Sequence, residues 1–217
     1  MRRTLEPEAM DDAEEVAAYA TMDHSEANLA FVERLLALRA TGHLLDIGTG
    51  PGEIPLLICE RLESVRVTGV DLSRQMLRHA QRLCGASPRA ARVALRRADA
   101  KRLPFRDACF DAVASNTILH HLPDPLPFLR EARRVLRPGG ALLIRDLLRP
   151  DSPQRADELV ALHARDATPE QRELLRASLH AALTADELRA LANAAGLAEA
   201  ELRIDSDRHL SLQIGAR

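Results

Sequence analysis

Aromatic residues are scarce in this chain of 217 residues: it has no tryptophan, one tyrosine (Tyr19) and four phenylalanines (Phe31, Phe105, Phe110 and Phe128). Proteins that read flipped or single-stranded bases stack them on aromatic faces, so this poverty argues against nucleic acid as a partner. Charge gives the same answer. The 30 basic and 32 acidic residues leave a net charge of −2, too little to gather polyanions by a bulk field. The basic pairs Arg96-Arg97 and Arg133-Arg134 read as solvated faces. Cysteine is also sparse. Cys59, Cys84 and Cys109 are widely spaced, which is neither a metal-ligand spacing nor a disulfide framework. Reduced, buried thiols of this kind suit a cytoplasmic protein. No apolar run approaches the length that spans a bilayer. Met1-Arg2-Arg3 is followed by acids, not by the apolar stretch of a signal peptide. Membrane insertion is therefore not expected, and the length suits one domain with a full core.

The chain does have turn signals placed behind apolar runs. Leu44-Leu45-Asp46-Ile47-Gly48-Thr49-Gly50-Pro51-Gly52-Glu53-Ile54 reads as a strand ending in a carboxylate, a turn of alternating glycines, then a helix. The free N–H groups of that helix would face the strand's end. Alternate glycines keep Cβ atoms away from a ligand lying on the turn. The dinucleotide fingerprint is G-x-G-x-x-G, but here the third glycine comes one residue early. Asp46 would repel an anionic pyrophosphate and suit a ligand with a cationic amino acid portion.

Val65-Arg66-Val67-Thr68-Gly69-Val70 closes in Asp71, 19 residues after Gly52. A carboxylate there can accept both ribose hydroxyls, while Ser73 supplies the cap for a helix over residues 74–83. Ala98-Asp99-Ala100 follows the alternating Val93-Ala94-Leu95. Residues 110–116 read as a buried fourth strand, followed by Thr117-Ile118-Leu119-His120-His121-Leu122-Pro123-Asp124-Pro125. Asp124 is the expected N-cap and Pro125 the first residue of the next helix. That helix is expected to stop at Arg137-Pro138-Gly139-Gly140 as a helix end and turn, before a strand over residues 141–144.

In order and spacing, residues 42–147 resemble the class I S-adenosylmethionine-dependent methyltransferases, whose first motif is D/E-x-G-x-G-x-G. The segments Leu103-Pro104-Phe105, Phe110-Asp111-Ala112-Val113, Leu119-His120-His121-Leu122 and Arg134-Val135-Leu136-Arg137-Pro138-Gly139-Gly140 are similar to the small-molecule branch. That branch includes the ubiquinone and menaquinone C-methyltransferases. The resemblance implies an α/β fold: a Rossmann-like, doubly wound, seven-stranded sheet, mostly parallel with an antiparallel last strand and helices on both faces. It implies S-adenosylmethionine as cofactor, held by Asp46, Gly48, Thr49, Gly50 and Gly52 at the first turn and Asp71 at the ribose. Asp99 would take the adenine amino group and the backbone of Ala100 a ring nitrogen, with Leu72, Met76 and Asn116 completing the set. Ser115-Asn116-Thr117-Ile118 stands where amino-group DNA and RNA methylases carry Asn/Asp-Pro-Pro-aromatic, a second argument against nucleic acid.

The expected division is a single domain, 1–217: an N-terminal helical lid (1–40), the cofactor-binding core (41–147), a helical insertion covering the substrate (148–183), then the last helix and a terminal hairpin (184–217). Asp23-His24-Ser25-Glu26 has capping-box spacing ahead of an amphipathic helix with Leu29, Val32, Leu35 and Leu36 on its buried face. Thr168-Pro169-Glu170-Gln171 and Thr184-Ala185-Asp186-Glu187 open two further helices. In similar enzymes the link between the leading helices faces the methyl group, which would bring Tyr19, Met22, Asp23 and His24 near the site.

The function so implied is in-line methyl transfer to a small-molecule acceptor at oxygen, carbon or nitrogen. A base is needed only where the acceptor must lose a proton. His120 is the first choice, facing the pocket, with His121 turned to core or surface. His209, His24, Tyr19 and Asp146 follow. His24, His180 and His209 could converge, but no metal is expected, because no local histidine pair has i, i+3 or i, i+4 spacing. No long heptad or exposed apolar stretch argues for a dimer. The alternative from another class is a non-catalytic protein that senses the cofactor or serves as a partner subunit.

Overall fold

A computed structural model describes residues 1–7, 16 and 24–217. In chain order the elements are α1 (Ser25–Ala37), β1 (His43–Ile47), α2 (Glu53–Arg61), β2 (Arg66–Asp71), α3 (Arg74–Gly85), β3 (Val93–Arg97) and β4 (Phe110–Asn116). There follow α4 (Leu126–Val135), β5 (Leu136–Leu147), α5 (Pro153–His163), α6 (Pro169–Ala181), α7 (Ala185–Ala194), β6 (Glu201–Ile204) and β7 (His209–Ile214). The strands form one sheet in the order β3-β2-β1-β4-β5-β7-β6. Only β7 runs antiparallel, against both β5 and β6, as the resemblance implied. Strand order reverses between β1 and β4, and ligands of open α/β sheets bind in the crevice at such a switch point, beyond the strands' carboxyl ends.

The sheet is covered on both faces, so its central strands are apolar throughout. Successive residues of β1 point to opposite layers: Leu44 packs with Phe31, Leu35 and Ile58 on one side, Leu45 and Ile47 with Phe128 and Leu129 on the other. Phe31, Phe110 and Phe128 are fully buried, each worth about 1.5–3 kcal/mol. Aliphatic side chains therefore supply most of the core.

Ser73 caps α3 through the Met76 N–H, and Thr168 and Thr184 both form complete capping boxes. Three expectations need correction. The buried stripe of α1 is Asn28, Phe31, Val32 and Leu35. Leu29 is exposed, because Phe31 fills that layer and Asn28 is buried with its amide bonded to Glu53. The proposed capping residue Asp23 lies outside the described residues. Pro125, not Asp124, occupies the N-cap of α4, although the Leu126 N–H still donates to the Asp124 carboxylate at 3.0 Å. Finally, β5 starts at Leu136 and runs through Arg137-Pro138-Gly139-Gly140. A register shift opposite Phe110 and Ala112 makes this a bulged strand start, the setting in which a sheet tolerates proline and glycine. No helix among the described residues is long and apolar enough to cross a membrane.

Candidate active site

The turn after β1 is fixed by Val70, whose carbonyl accepts the N–H groups of Gly48 and Thr49 at 2.8 and 2.9 Å. Gly50 adopts φ +53°, and a Cβ there would point into open space. Its N–H donates to Asp71 Oδ2 at 2.8 Å, while the Ser73 N–H donates to Oδ1 at 2.8 Å. Asp71 thus ties the ends of β1 and β2 together with one bond per oxygen, leaving further acceptor capacity. Burial pushes its carboxyl up, against the pull of the two N–H groups.

Asp71 lines a crevice at the switch point together with Gly48, Gly50, Leu72 and Met76. Asp99, Ala100 and Asn116 complete its rim. Thr49 instead faces a second cavity. Two expected ligand residues border neither. Gly52, at φ +90°, would set a Cβ 2.9 Å from that of Ala80; its bareness lets α2 pack on α3. Asp46 lies beneath the turn, 1% exposed, and neither of its oxygens has a hydrogen-bond partner of ordinary geometry among the described residues. Burial pushes its carboxyl up to about 7, the Thr49 hydroxyl offsetting part of that and the Asp71 charge adding to it. An orphaned acid below the turn and a bare Gly50 above it fit S-adenosylmethionine, whose amino acid end carries an ammonium group.

The second cavity, of about 560 Å³, adjoins the crevice through Gly48, Gly50, Asn116, Thr117 and His121. Leu162, Leu174 and Leu175 of the α5–α6 region form part of its wall. Thr117 has φ +58°, an uncommon backbone state for a β-branched residue that persists only where surroundings impose it. It redirects the chain into a 3-10 turn, Leu119–His121.

Both histidines of that turn border the larger cavity, so the expected split between pocket and surface does not hold. Their ring centroids lie 4.2 Å apart, with the planes tilted by 36°. His120 is buried, and its Nδ1 lies 2.7 Å from Asp146 Oδ1. Asp146 also accepts from the Leu119 N–H at 2.6 Å and the Leu147 N–H at 2.7 Å. This carboxylate thus holds both the His120 ring and the turn that carries it. His209 and His24 reach the cavity, but burial together with Arg145 and Arg208 holds the His209 imidazole down at about 3, making it a poor base. His180 stays outside, its carbonyl accepting the Thr4 N–H; Ser178 of the same helix lines the cavity instead. Tyr19 and Met22 lie outside the described residues.

Sequence reasoning missed two residues here. Arg145 donates to the Asn116 side chain at 3.0 Å and the Ala27 carbonyl at 2.8 Å, and lies over Phe31; burial lowers its guanidinium to about 10. An arginine and an aspartate adjoining at the end of an apolar strand run, Ala141-Leu142-Leu143-Ile144, were the available signal. Glu6 reaches His120 and His121 from the far end of the chain, which no local pattern announces.

Sheet order, glycine turn and crevice together define a Rossmann-like core with a ligand crevice at its switch point. Residues 45–144, a little under half of the chain, match the family described as "Methyltransferase domain". The chain is 41% identical over 131 residues to the 27-O-demethylrifamycin SV methyltransferase of Amycolatopsis mediterranei, covering 59% of this chain and 48% of the relative. It is 38% identical over 117 residues to the demethylmenaquinone methyltransferase of Lactiplantibacillus plantarum, covering 54% and 49%. The chain thus spans about half the length of these relatives. A solved SAM-dependent methyltransferase from Aquifex aeolicus shares the fold, with a TM-score of 0.67, 18% identity, and coverage of 93% of this chain and 97% of that one.

Proposed function

We propose that this chain transfers a methyl group from S-adenosylmethionine to a small organic acceptor, with His120 as the base where the acceptor must lose a proton. The observation that carries this reading is the junction of the two cavities at Gly48, Gly50 and Asn116. A ligand lying along Asp99 and Asp71 in the crevice ends at that junction, beside the histidine turn. When bound, S-adenosylmethionine supplies an electrophilic methyl group on its sulfonium.

The residues' own work is positioning. Asp71 accepts the ribose hydroxyls, Asp99 and Ala100 meet the base, and the buried Asp46 favours a positive charge above it. Holding donor and acceptor in line at near-attack distance is the largest contribution a protein makes to such a displacement. His120 takes the acceptor's proton on Nε2, the nitrogen not engaged by Asp146. A cavity of about 560 Å³ lies within the usual range for small-molecule sites, and residues 148–183 act as its cover. The relatives are named for 27-O-demethylrifamycin SV and demethylmenaquinone, which supports an acceptor methylated on oxygen or carbon. An open cavity beside His120 disfavours a purely sensing role. The three free cysteines fit a cytoplasmic setting.

Calorimetric titration with S-adenosylmethionine, S-adenosylhomocysteine and NAD tests the reading. Binding of the first two and not of NAD is expected, followed by label transfer in an acceptor screen. NAD binding, or no binding of any of the three, overturns it.

A further inference from the structure

The N-terminal segment crosses the histidine turn. The Thr4 N–H donates to the His180 carbonyl at 3.0 Å. Arg3 donates to the carbonyls of Leu119, His120 and Leu122 at 3.3, 3.2 and 2.9 Å. This places Glu6 between the two imidazoles: Oε1 lies 2.9 Å from His121 Nδ1 and 3.4 Å from His120 Nε2. Burial works against ionisation of Glu6, but His121 and His120 outweigh it and hold the carboxyl below its ordinary range. All three residues line the larger cavity.

The spacing is that of a coordination sphere. Ligand atoms about 2.0–2.2 Å from a tetrahedral zinc ion stand roughly 3.3 Å from one another. One ligand atom from each of Glu6, His120 and His121 lies within 4.8 Å of the others, and the two contacts to Glu6 bracket the tetrahedral spacing. The supporting groups fit as well. A ligating histidine almost always donates its other ring N–H to a carboxylate or carbonyl, which aims the free nitrogen at the metal. His120 does this toward Asp146 at 2.7 Å. Glu6 is held in turn by the Ser178 hydroxyl at 3.3 Å.

We propose that Glu6, His120 and His121 bind a first-row transition metal ion of the zinc type, with the fourth coordination position open to the larger cavity. Three protein ligands and one free position are the pattern of an exchangeable site. His121 Nδ1 contacts both Glu6 and the Pro7 carbonyl, and the ion replaces these contacts when it binds. The ion takes the His120 Nε2 lone pair, so base-dependent transfer stops in the loaded protein. That last consequence rests on the methyl-transfer reading; metal binding itself does not.

Cobalt(II) is the probe. Titration of the metal-free full chain is expected to give a saturable visible absorption of tetrahedral intensity at one equivalent, bleached by zinc(II). Glu6→Gln and His121→Ala should each weaken binding by more than about tenfold, with thermal unfolding confirming that both variants fold. His79→Asn, on α3, should leave binding unchanged. Absence of saturable binding overturns the site, as does binding that survives both ligand substitutions or falls equally in His79→Asn. S-Adenosylmethionine titration of the same metal-free sample separates this failure from failure of the methyl-transfer reading.

Discussion

Asp146 Oδ1 stands 2.7 Å from His120 Nδ1 in a setting closed to solvent on both sides, and the same carboxylate accepts the backbone N–H groups of Leu119 and Leu147. One side chain therefore fixes the ring, the turn that carries it and the end of β5. Burial disfavours a charged imidazole, but Asp146, with Glu6 beyond it, outweighs that cost and raises His120 above the ordinary 6.5. Despite burial, His120 and the two N–H groups hold Asp146 below the usual carboxylate range.

This pair sets the pH dependence of any proton-abstracting reaction. A base works in its neutral form, so kcat should rise with pH through a limb lying above 6.5. Asp146→Asn should lower the rate and move the limb to lower pH. A wild-type limb below 6.5 would contradict the arrangement.

His120→Gln removes the proposed proton acceptor while leaving the crevice residues in place. Turnover should fall by about 10²–10⁴-fold, the usual range for general-base loss, with the Kd for S-adenosylmethionine unchanged. Undiminished turnover with a hydroxyl acceptor would take His120 out of the chemistry.

Asp71→Ala should act on binding instead. It removes the proposed ribose acceptor and frees the N–H groups of Gly50 and Ser73. Bonds to a charged group are worth about 1.5–3 kcal/mol, or roughly a 10- to 150-fold rise in Kd. Calorimetry reads this directly, and an unaltered Kd refutes the ribose assignment.

Asp46 bears on stability. Its folded carboxyl is raised from 3.8 to about 7, so between those values the folded chain keeps a proton that the unfolded chain has lost. Stability therefore falls as pH rises through that window, by up to about 4 kcal/mol. Asp46→Asn removes this dependence. It should raise Tm at about pH 8, with the gain vanishing near pH 4; an equal shift at both values would show that folding does not raise the Asp46 carboxyl.

What could be read in advance follows from how far each interaction reaches along the chain. The glycine turn, Asp71 and the Thr168 and Thr184 caps are local, so residue type and spacing revealed them. Their order also implied the sheet. The start of β5 was hidden because Pro138-Gly139-Gly140 carries turn chemistry that a bulge absorbs. The face of α1 was misread by one position because leucines were counted while Phe31, the larger side chain, was not. Glu6 at the histidine turn is a long-range contact that no spacing rule reaches. Asp146 was recognised as chemically active, but its role depended on which atom it touches.

Because β7 runs against its neighbours, its first residue, His209, pairs with Leu147 at the carboxyl end of β5. The exposed hairpin tip over residues 205–207 is thereby delivered to the rim of the larger cavity, next to Arg208. Tip residues can be exchanged there without breaking a rung of the sheet's hydrogen-bond ladder. On the methyl-transfer reading proposed above, this makes the tip the place for a focused library aimed at acceptor preference, with the half of the molecule built around Asp71 left untouched.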